Sequence, residues 1–262
     1  VSLPFLSRKK AEFGMGIARM EDRYFQTNII DFSETKHDES TYSIFGGSIV
    51  LEGSTLNARQ FATQGSREKM AAQIFTGTEH FRSGVSKVTK GTPEPYKKVQ
   101  SWLQVSYQNE TYHKVSPKFT LGAYLEAYYS SRNFSNNYTA TLMQAGEFTP
   151  TAHSKVTYNE AFRANQYAGV GTMPIYQLSE SFQLRGEFYG FIPIFPIKKD
   201  EYGQAYYGKA FTKFEYLGEI SLVFQLSFGS ISAYVNHYSS PSNDWNVGLT
   251  LGWQLFNSRF VE

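Results

Sequence analysis

The stretch FEYLGEISLVFQLSF, residues 214–228, decides the fold, because its apolar residues recur at every second position. Phe214, Tyr216, Ile220, Leu222, Phe224, Leu226 and Phe228 share one face, and Glu215, Glu219, Ser221, Gln225 and Ser227 share the other. A period of two is the mark of a β-strand, whose successive side chains point to opposite faces. The run covers fifteen residues, whereas strands of globular proteins run to about five or six.

The same pattern continues in both directions along the chain. In WNVGLTLGWQLF (245–256), Trp245, Val247, Leu249, Leu251, Trp253 and Leu255 oppose Asn246, Gly248, Thr250, Gly252 and Gln254. VQSWLQVSYQNETY (99–112) sets Leu103, Val105 and Tyr107 against Gln104, Ser106 and Gln108, and FTLGAYLEAYYS (119–130) sets Leu121, Ala123 and Leu125 against Tyr124 and Glu126. Residues 11–22, 41–52, 69–81, 166–178, 182–193 and 231–239 read as further strands, ten in all. No segment of comparable length has a 3.6-residue period, which argues against a helical or mixed α/β fold.

The links between these strands alternate in length. LSES (178–181), FGSIS (228–232) and HKVSPK (113–118) are short, while 27–40, 82–97, 133–165 and 194–210 are long and rich in Tyr, Lys, Ser and Asn. Two links break the rule: EGSTLNARQFATQGSRE (52–68) is long where a turn is expected, and SSPSND (239–244) is short where a loop is expected. Short turns at one end and long loops at the other are the habit of outer-membrane barrels.

A soluble sandwich or barrel also alternates apolar and polar residues. Its solvent face, however, should be rich in Lys and Glu, and here the polar face is mostly Gln, Ser, Thr, Asn, Tyr and Gly. The predicted fold is therefore an all-β, antiparallel transmembrane β-barrel. Trp102, Tyr128, Tyr129, Trp245 and Trp253 lie near strand ends, where interfacial aromatic girdles form.

Composition agrees with this reading and closes other routes. Among 262 residues there are 22 Phe, 19 Tyr, 21 Gly and no Cys, a mixture suited to strands and tight turns and incapable of disulfides or thiolate metal sites. No window approaches eighteen apolar residues, so a membrane helix is excluded, while spanning strands need only about ten residues of alternating polarity. The N-terminal VSLPFLSRKK lacks the apolar core of a signal peptide, so a barrel reading implies a mature chain or a fragment. A formal charge of +2 without Lys/Arg clusters argues against nucleic acid as a partner.

Catalytic motifs are nearly absent. There is no G-x-S-x-G elbow, no phosphate-binding G-x-x-x-x-G-K-[ST] loop and no H-E-x-x-H. GGSIV (46–50) lies inside an alternating strand and not at a strand-to-helix turn. His37, His80, His113, His153 and His237 are scattered, and isolated loop histidines are expected to be solvated. No catalytic residue, cofactor site or metal site is assigned. Glu126, Glu187, Glu215 and Glu219 fall by parity on the polar faces of their strands, with Arg185 and Lys213 on the same faces. In a barrel these carboxylates point into the lumen, where an enclosed charge needs a partner.

Four segments together resemble one family: PTAHSKVTYNEAFRANQYAGVG (150–171), STLNARQFATQGS (54–66), LRGEFYGFIPI (184–194) and NDWNVGLTLGWQLFNSR (243–259). They are similar to the C-terminal barrel of patatin-like phospholipases of Bacteroidetes-type bacteria, within the bacterial surface-antigen superfamily of barrel-assembly and two-partner-secretion proteins. The resemblance spans essentially the whole chain. It implies a sixteen-stranded barrel, of which the ten strands here are the last, so that the chain is expected to be a fragment. It also implies a long loop, 133–165, that folds into the lumen and presents an arginine. The tip corresponds to Phe162, Arg163, Ala164 and Asn165, with Ala164 in place of the motif's glycine. The arginine is expected to meet an acidic group on a following strand. Glu187 is the first choice, and Glu126, Glu215, Glu219 and Arg185 complete the set of lumenal candidates.

The function implied by the resemblance is to anchor or export a patatin-like lipid acyl hydrolase domain that this chain does not contain; the chain itself is not expected to be an enzyme. The implied partners are outer-membrane lipid and lipopolysaccharide, a covalently linked periplasmic or passenger domain, and the barrel-assembly machinery during insertion. A stand-alone outer-membrane pore or adhesin is the leading alternative. A barrel enzyme at the membrane surface and a carbohydrate-binding sandwich have less support.

Overall fold

The computed structural model describes residues 2–6, 9–25, 37–84, 96–240 and 245–253. The chain begins with β1 (Ser2–Leu6), β2 (Lys9–Tyr24), β3 (Asp38–Ser54), β4 (Gly65–Arg82), β5 (Tyr96–Ser116) and β6 (Phe119–Ser130). A long insert follows, with helix α1 (Tyr138–Gln144) and the two-residue strands β7 (Gly146–Glu147) and β8 (Arg163–Ala164). Then come β9 (Gln166–Gln177), β10 (Phe182–Pro193), the small strands β11 (Ile197–Lys199) and β12 (Ala205–Tyr207), β13 (Glu215–Leu226), β14 (Gly229–Tyr238) and β15 (Trp245–Trp253).

Eleven of these strands form one antiparallel sheet in the order β1-β2-β3-β4-β5-β6-β9-β10-β13-β14-β15. Each of the ten strands expected from the alternation has its counterpart; the short β1 was not foreseen. Several are long, with β5 covering 21 residues and β4 covering 18. Sequence neighbours pair throughout, so every link joins adjacent antiparallel strands and successive links fall at opposite ends. The links around 25–37, 83–95, 131–165 and 194–214 therefore share one end, together with the short link before Trp245. Most of the expected loop 27–40 and of 82–97, the residues 241–244, and the side chain of Trp253 lie outside the described residues.

The sheet is not closed into a barrel: β1 and β15 are its two edges. It is nevertheless curled. Gln144 Nε2 donates to Asp22 Oδ2 of β2 at 2.7 Å, and Asn159 Nδ2 of the same insert donates to the Ser240 carbonyl beyond β14 at 2.8 Å. One loop thus touches both flanks of the sheet, which wraps around it.

Its two faces are inverted relative to a soluble protein. In β13, Glu215, Glu219 and Ser221 are buried while Tyr216, Ile220 and Leu222 are exposed. Leu103, Val105, Leu121, Leu125, Leu184, Phe188 and Ile231 are likewise exposed on the outer face. Contiguous apolar patches above a few hundred Å² are rare on soluble monomers and mark a surface that something else covers. Trp102 and Tyr128 depart from the girdle expectation. Trp102 is buried on the inner face, stacked on Phe75 and covered by the Arg132 guanidinium at 4.6 Å, and Tyr128 stacks on Tyr167. Their parity within β5 and β6 points them inward with Gln100 and Glu126. Tyr129 and Trp245 are exposed.

Candidate functional site

Two inserts fill the inside of the curl, and Arg185, Glu219 and Lys213 of the sheet and its entry reach into them. The larger, residues 131–165, enters from the long-loop end. Asn137 starts α1 as its N-cap, its side chain accepting from Ala140 N at 2.9 Å. The helix packs on the β11–β12 hairpin, Leu142 and Ala145 clustering with Ile197, and its N-cap reaches β2, Asn137 Nδ2 donating to Tyr24 Oη at 2.9 Å. The second half crosses to β9, β10, β13 and β14, where Phe148 and Phe162 pack among Tyr124, Tyr167, Tyr189, Phe191 and Tyr238. Phe148 fits because β9 has Gly169 beneath it: a Cβ there would meet the ring at 2.1 Å.

Arg163 does not meet Glu187. Its Nη2 pairs with Glu147 Oε2 at 2.7 Å, its Nη1 points at the carbonyls of Leu142 and Met143 at 3.3 and 3.2 Å, and its guanidinium lies 4.6 Å over the Tyr158 ring. The physical reason is local. The last carbonyls of a helix have no intrahelical partner and carry the negative end of its dipole, and α1 ends directly beside residue 163. The β7–β8 bridge places Glu147 opposite Arg163, which adds the carboxylate. The arginine therefore closes the insert upon itself. The Tyr158 ring is half exposed, and the covering of its other half, with Glu160 adding to the rise, pushes the phenol up to about 12.

The rest of the tip is packed. Phe162 and Ala164 are buried, and Asn165 is buried with its Nδ2 3.0 Å from Tyr207 Oη on the β11–β12 hairpin. Its carbonyl accepts from Ser130 N at 2.6 Å. Ala164 has no exposure at all, so its methyl is fully enclosed.

The second insert, residues 55–64, enters from the turn end and explains the overlong β3–β4 link. Asn57 Oδ1 accepts from the backbone N–H of Thr63 and Gln64 at 3.0 and 3.1 Å and holds the loop's base. Phe61 takes a left-handed backbone, φ 52°, unusual for a bulky residue. That turn aims the Phe61 carbonyl at Gln183 Nε2 and Gln225 Nε2, both at 3.2 Å.

All five lumenal candidates lie on the inner face. Arg185, 3% exposed, bonds its strand neighbour Glu187, donates to the Ala62 carbonyl at 2.9 Å and to Tyr112 Oη at 2.8 Å, and so clamps the 55–64 insert. Tyr189 Oη donates to Glu187 at 3.1 Å. Glu126 receives the hydroxyls of Tyr124 and Tyr167, the latter at 2.6 Å. Glu215 receives Ser239 Oγ and lies 3.4 Å from Lys213 Nζ, which also reaches the Ala161 carbonyl. Glu219 is met by His153 Nδ1 at 2.7 Å, with the imidazole stacked on Tyr234. His153 is buried, contrary to the expectation of a solvated histidine, because the insert carries it onto β13.

Sequence reasoning missed Glu147, His153 and Arg132. Glu147 sits in a two-residue strand and His153 in irregular chain, neither with a period to read, and Arg132 emerges from the end of β6 to lie between Tyr42 and Trp102, at 5.2 and 4.6 Å. Burial lowers its pKa, partly offset by the nearby Tyr42 and Glu79. Among the described residues no group of three or more His, Asp or Glu is placed to hold a metal ion, and His153 Nε2 is buried without a hydrogen bond to them. No family model matches the chain, and no curated protein matches it.

Proposed function

We propose that this chain forms wall and plug of an outer-membrane β-barrel that serves as an anchor. The observation that carries the reading is the inversion of faces along the strands from β3 to β14 of the large sheet, apolar outward and polar inward, at lengths suited to crossing a bilayer. The edges support closure by further strands. β1 pairs only with residues 9–12 of β2, and beyond that point the outward Met15 and Ile17 of β2 are 82% and 86% exposed. Val247 and Leu249 on β15 reach 78% and 82%, against 53% and 42% for Ile220 and Leu222 in the interior of the sheet. An edge left open in lipid strands its backbone N–H and C=O groups, and additional antiparallel strands between β15 and β2 remove that cost. A sixteen-stranded barrel, as in the family resembled, supplies them.

The inserts from both ends favour an anchor or regulated exporter over a free pore. The resemblance adds the cargo: a covalently linked patatin-like lipid acyl hydrolase domain, anchored or exported by this barrel in contact with outer-membrane lipid and lipopolysaccharide. Reconstitution into lipid vesicles tests the barrel. The full-length protein, with the strands that close the sheet, should resist alkaline carbonate extraction and run as a heat-modifiable band, and its release into the soluble fraction would refute the membrane reading. The encoding reading frame tests the cargo: without a linked G-x-S-x-G domain the hydrolase proposal falls while the barrel stands.

A further inference from the structure

Six side-chain atoms that no other group of the protein hydrogen-bonds gather where the larger insert leaves the wall. They are Glu79 Oε2 on β4, Gln100 Oε1 and Nε2 and Trp102 Nε1 on β5, and Arg132 Nε and Asn136 Nδ2 at the start of the insert. All five residues are buried. Folded proteins hold few such atoms, and each needs a physical account.

The ladder and the rings bring the five residues together. Glu79 stands opposite Lys98 in the β4–β5 register, and Gln100 and Trp102 follow Lys98 on the same inward face. Tyr42 Oη donates to Glu79 Oε1 at 3.4 Å, and the Arg132 guanidinium lies over the Tyr42 and Trp102 rings at 5.2 and 4.6 Å. The charges of Arg132 and Lys98 and the backbone of Asn136 all act on Glu79. Yet no ion pair joins Glu79 to either cation. Lys98 Nζ donates to the Phe134 carbonyl at 3.0 Å, and Arg132 Nη1 donates to Gln144 Oε1 at 2.8 Å. Gln100 faces Gly77 across the ladder, which offers its amide no side chain. Turning that amide over changes nothing, because its oxygen and its nitrogen are both unpaired.

The chemistry of the six atoms selects what can join them. Four are N–H donors and two are oxygen acceptors. An anion would meet the Glu79 carboxylate, and a cation would meet Arg132 and Lys98. The bridging species is therefore neutral, donates and accepts at once, and is small enough to sit among groups this enclosed. Water meets all three conditions. A buried water makes about three hydrogen bonds, so six unpaired atoms correspond to about two molecules.

We propose that Arg132 and Glu79 form a water-mediated ion pair, with ordered water held between Arg132 Nε, Trp102 Nε1, Asn136 Nδ2, the Gln100 amide and Glu79 Oε2. A bridging water is nearly as good as a direct hydrogen bond, so bound solvent is part of the seam that ties the insert to β4 and β5. This site goes beyond the membrane reading and does not depend on it.

Oxygen-17 magnetic relaxation dispersion of water, recorded on the full-length protein in detergent, counts the water molecules held long enough to tumble with it. The double variant Glu79→Met, Arg132→Met removes both ends of the bridge and should lower the count by about two. Gln104→Leu alters the next inward position of β5 after Trp102, outside the six atoms, and should leave the count unchanged. An equal count in wild type and folded double variant overturns the proposal. Crystals of the wild-type protein decide the matter even if the double variant does not fold. Water density within hydrogen-bond distance of both Arg132 Nε and Glu79 Oε2 is expected, and a direct Arg132–Glu79 contact with no water between them overturns the bridge.

Discussion

Replacing Arg163 by alanine removes a guanidinium that serves four groups at once, and the structure sets the size of the loss. The side chain is 10% exposed and its partner Glu147 31% exposed. Breaking a fully buried ion pair costs about 3–5 kcal/mol, but Glu147 can recover water, which lowers the figure. The carbonyls of Leu142 and Met143 lose a charged donor, and hydrogen bonds to charged groups contribute about 1.5–3 kcal/mol. Together these give a destabilisation of about 2–4 kcal/mol, read as a lowered unfolding midpoint in detergent. Arg163→Lys should recover about half, because an ammonium reaches the carbonyls or the carboxylate but not both in one plane. The decisive measurement is a pair of double-mutant cycles. Arg163→Ala with Glu147→Gln should show a coupling of about 1 kcal/mol, whereas Arg163→Ala with Glu187→Gln should be additive within about 0.5 kcal/mol. A larger coupling to Glu187 than to Glu147 would refute the self-closed insert.

Arg185→Met leaves Glu187 buried and uncompensated and should cost about 3–5 kcal/mol; it should also free the 55–64 insert, seen as faster tryptic cleavage at the exposed Arg59. Gly169→Ala forces a Cβ to within 2.1 Å of the Phe148 ring, and overpacking of this kind costs about 1–3 kcal/mol in the same unfolding assay. Tyr158 gives an alkaline prediction. Its phenol is raised to about 12 from an ordinary value of about 10, so the protonated form is favoured by the fold. Its contribution is fully present below about pH 10 and is lost as pH rises through 12. The difference between wild type and Tyr158→Phe in ultraviolet tyrosinate absorption should therefore show a tyrosine titrating near 12; a midpoint near 10 would show that neither the partial cover nor Glu160 acts on the phenol. Deleting residues 146–162 should open conductance across a planar bilayer, and an unchanged closed state would count against the insert as the barrier.

The alternation of residues 214–228 was readable because period two survives whatever lies on either side of the sheet, and long strands repeat it often enough to be distinctive. Loop placement followed from it, since antiparallel neighbours send links to alternate ends. The inward parity of Glu126, Glu187, Glu215 and Glu219 was equally legible. Their partners were not. Arg185 lies two residues from Glu187 on one face of one strand, a pairing that parity allows, but His153 and Glu147 reach their positions through irregular chain with no periodicity to project. Arg163 was recognised as unusual and given the wrong partner, because a seven-residue helix ending beside it leaves too short a pattern to announce its carbonyls. Trp102 misled for the opposite reason: its aromatic identity suggested a girdle, while its parity already placed it inside.

The register of β10 and β13 shows why the larger insert belongs to the wall and is not merely lodged within it. Glu187 and Glu219 are directly opposite each other across these strands, a like-charge pair that destabilises a sheet, and both are buried. Arg185 answers only the first, since its guanidinium is committed to Glu187, Ala62 and Tyr112. The second is answered from outside the sheet, by His153 of the insert at 2.7 Å. Strand β13 thus carries a carboxylate that no side chain of its own sheet hydrogen-bonds, and Glu219 Oε1 gains its partner only when residues 131–165 are inside. The same holds at the turn end, where Arg185 needs the Ala62 carbonyl of the smaller insert to fill its fork. The inserts and the inner face of the C-terminal strands thus share their polar partners, at Glu219 through His153 and at Arg185 through Ala62.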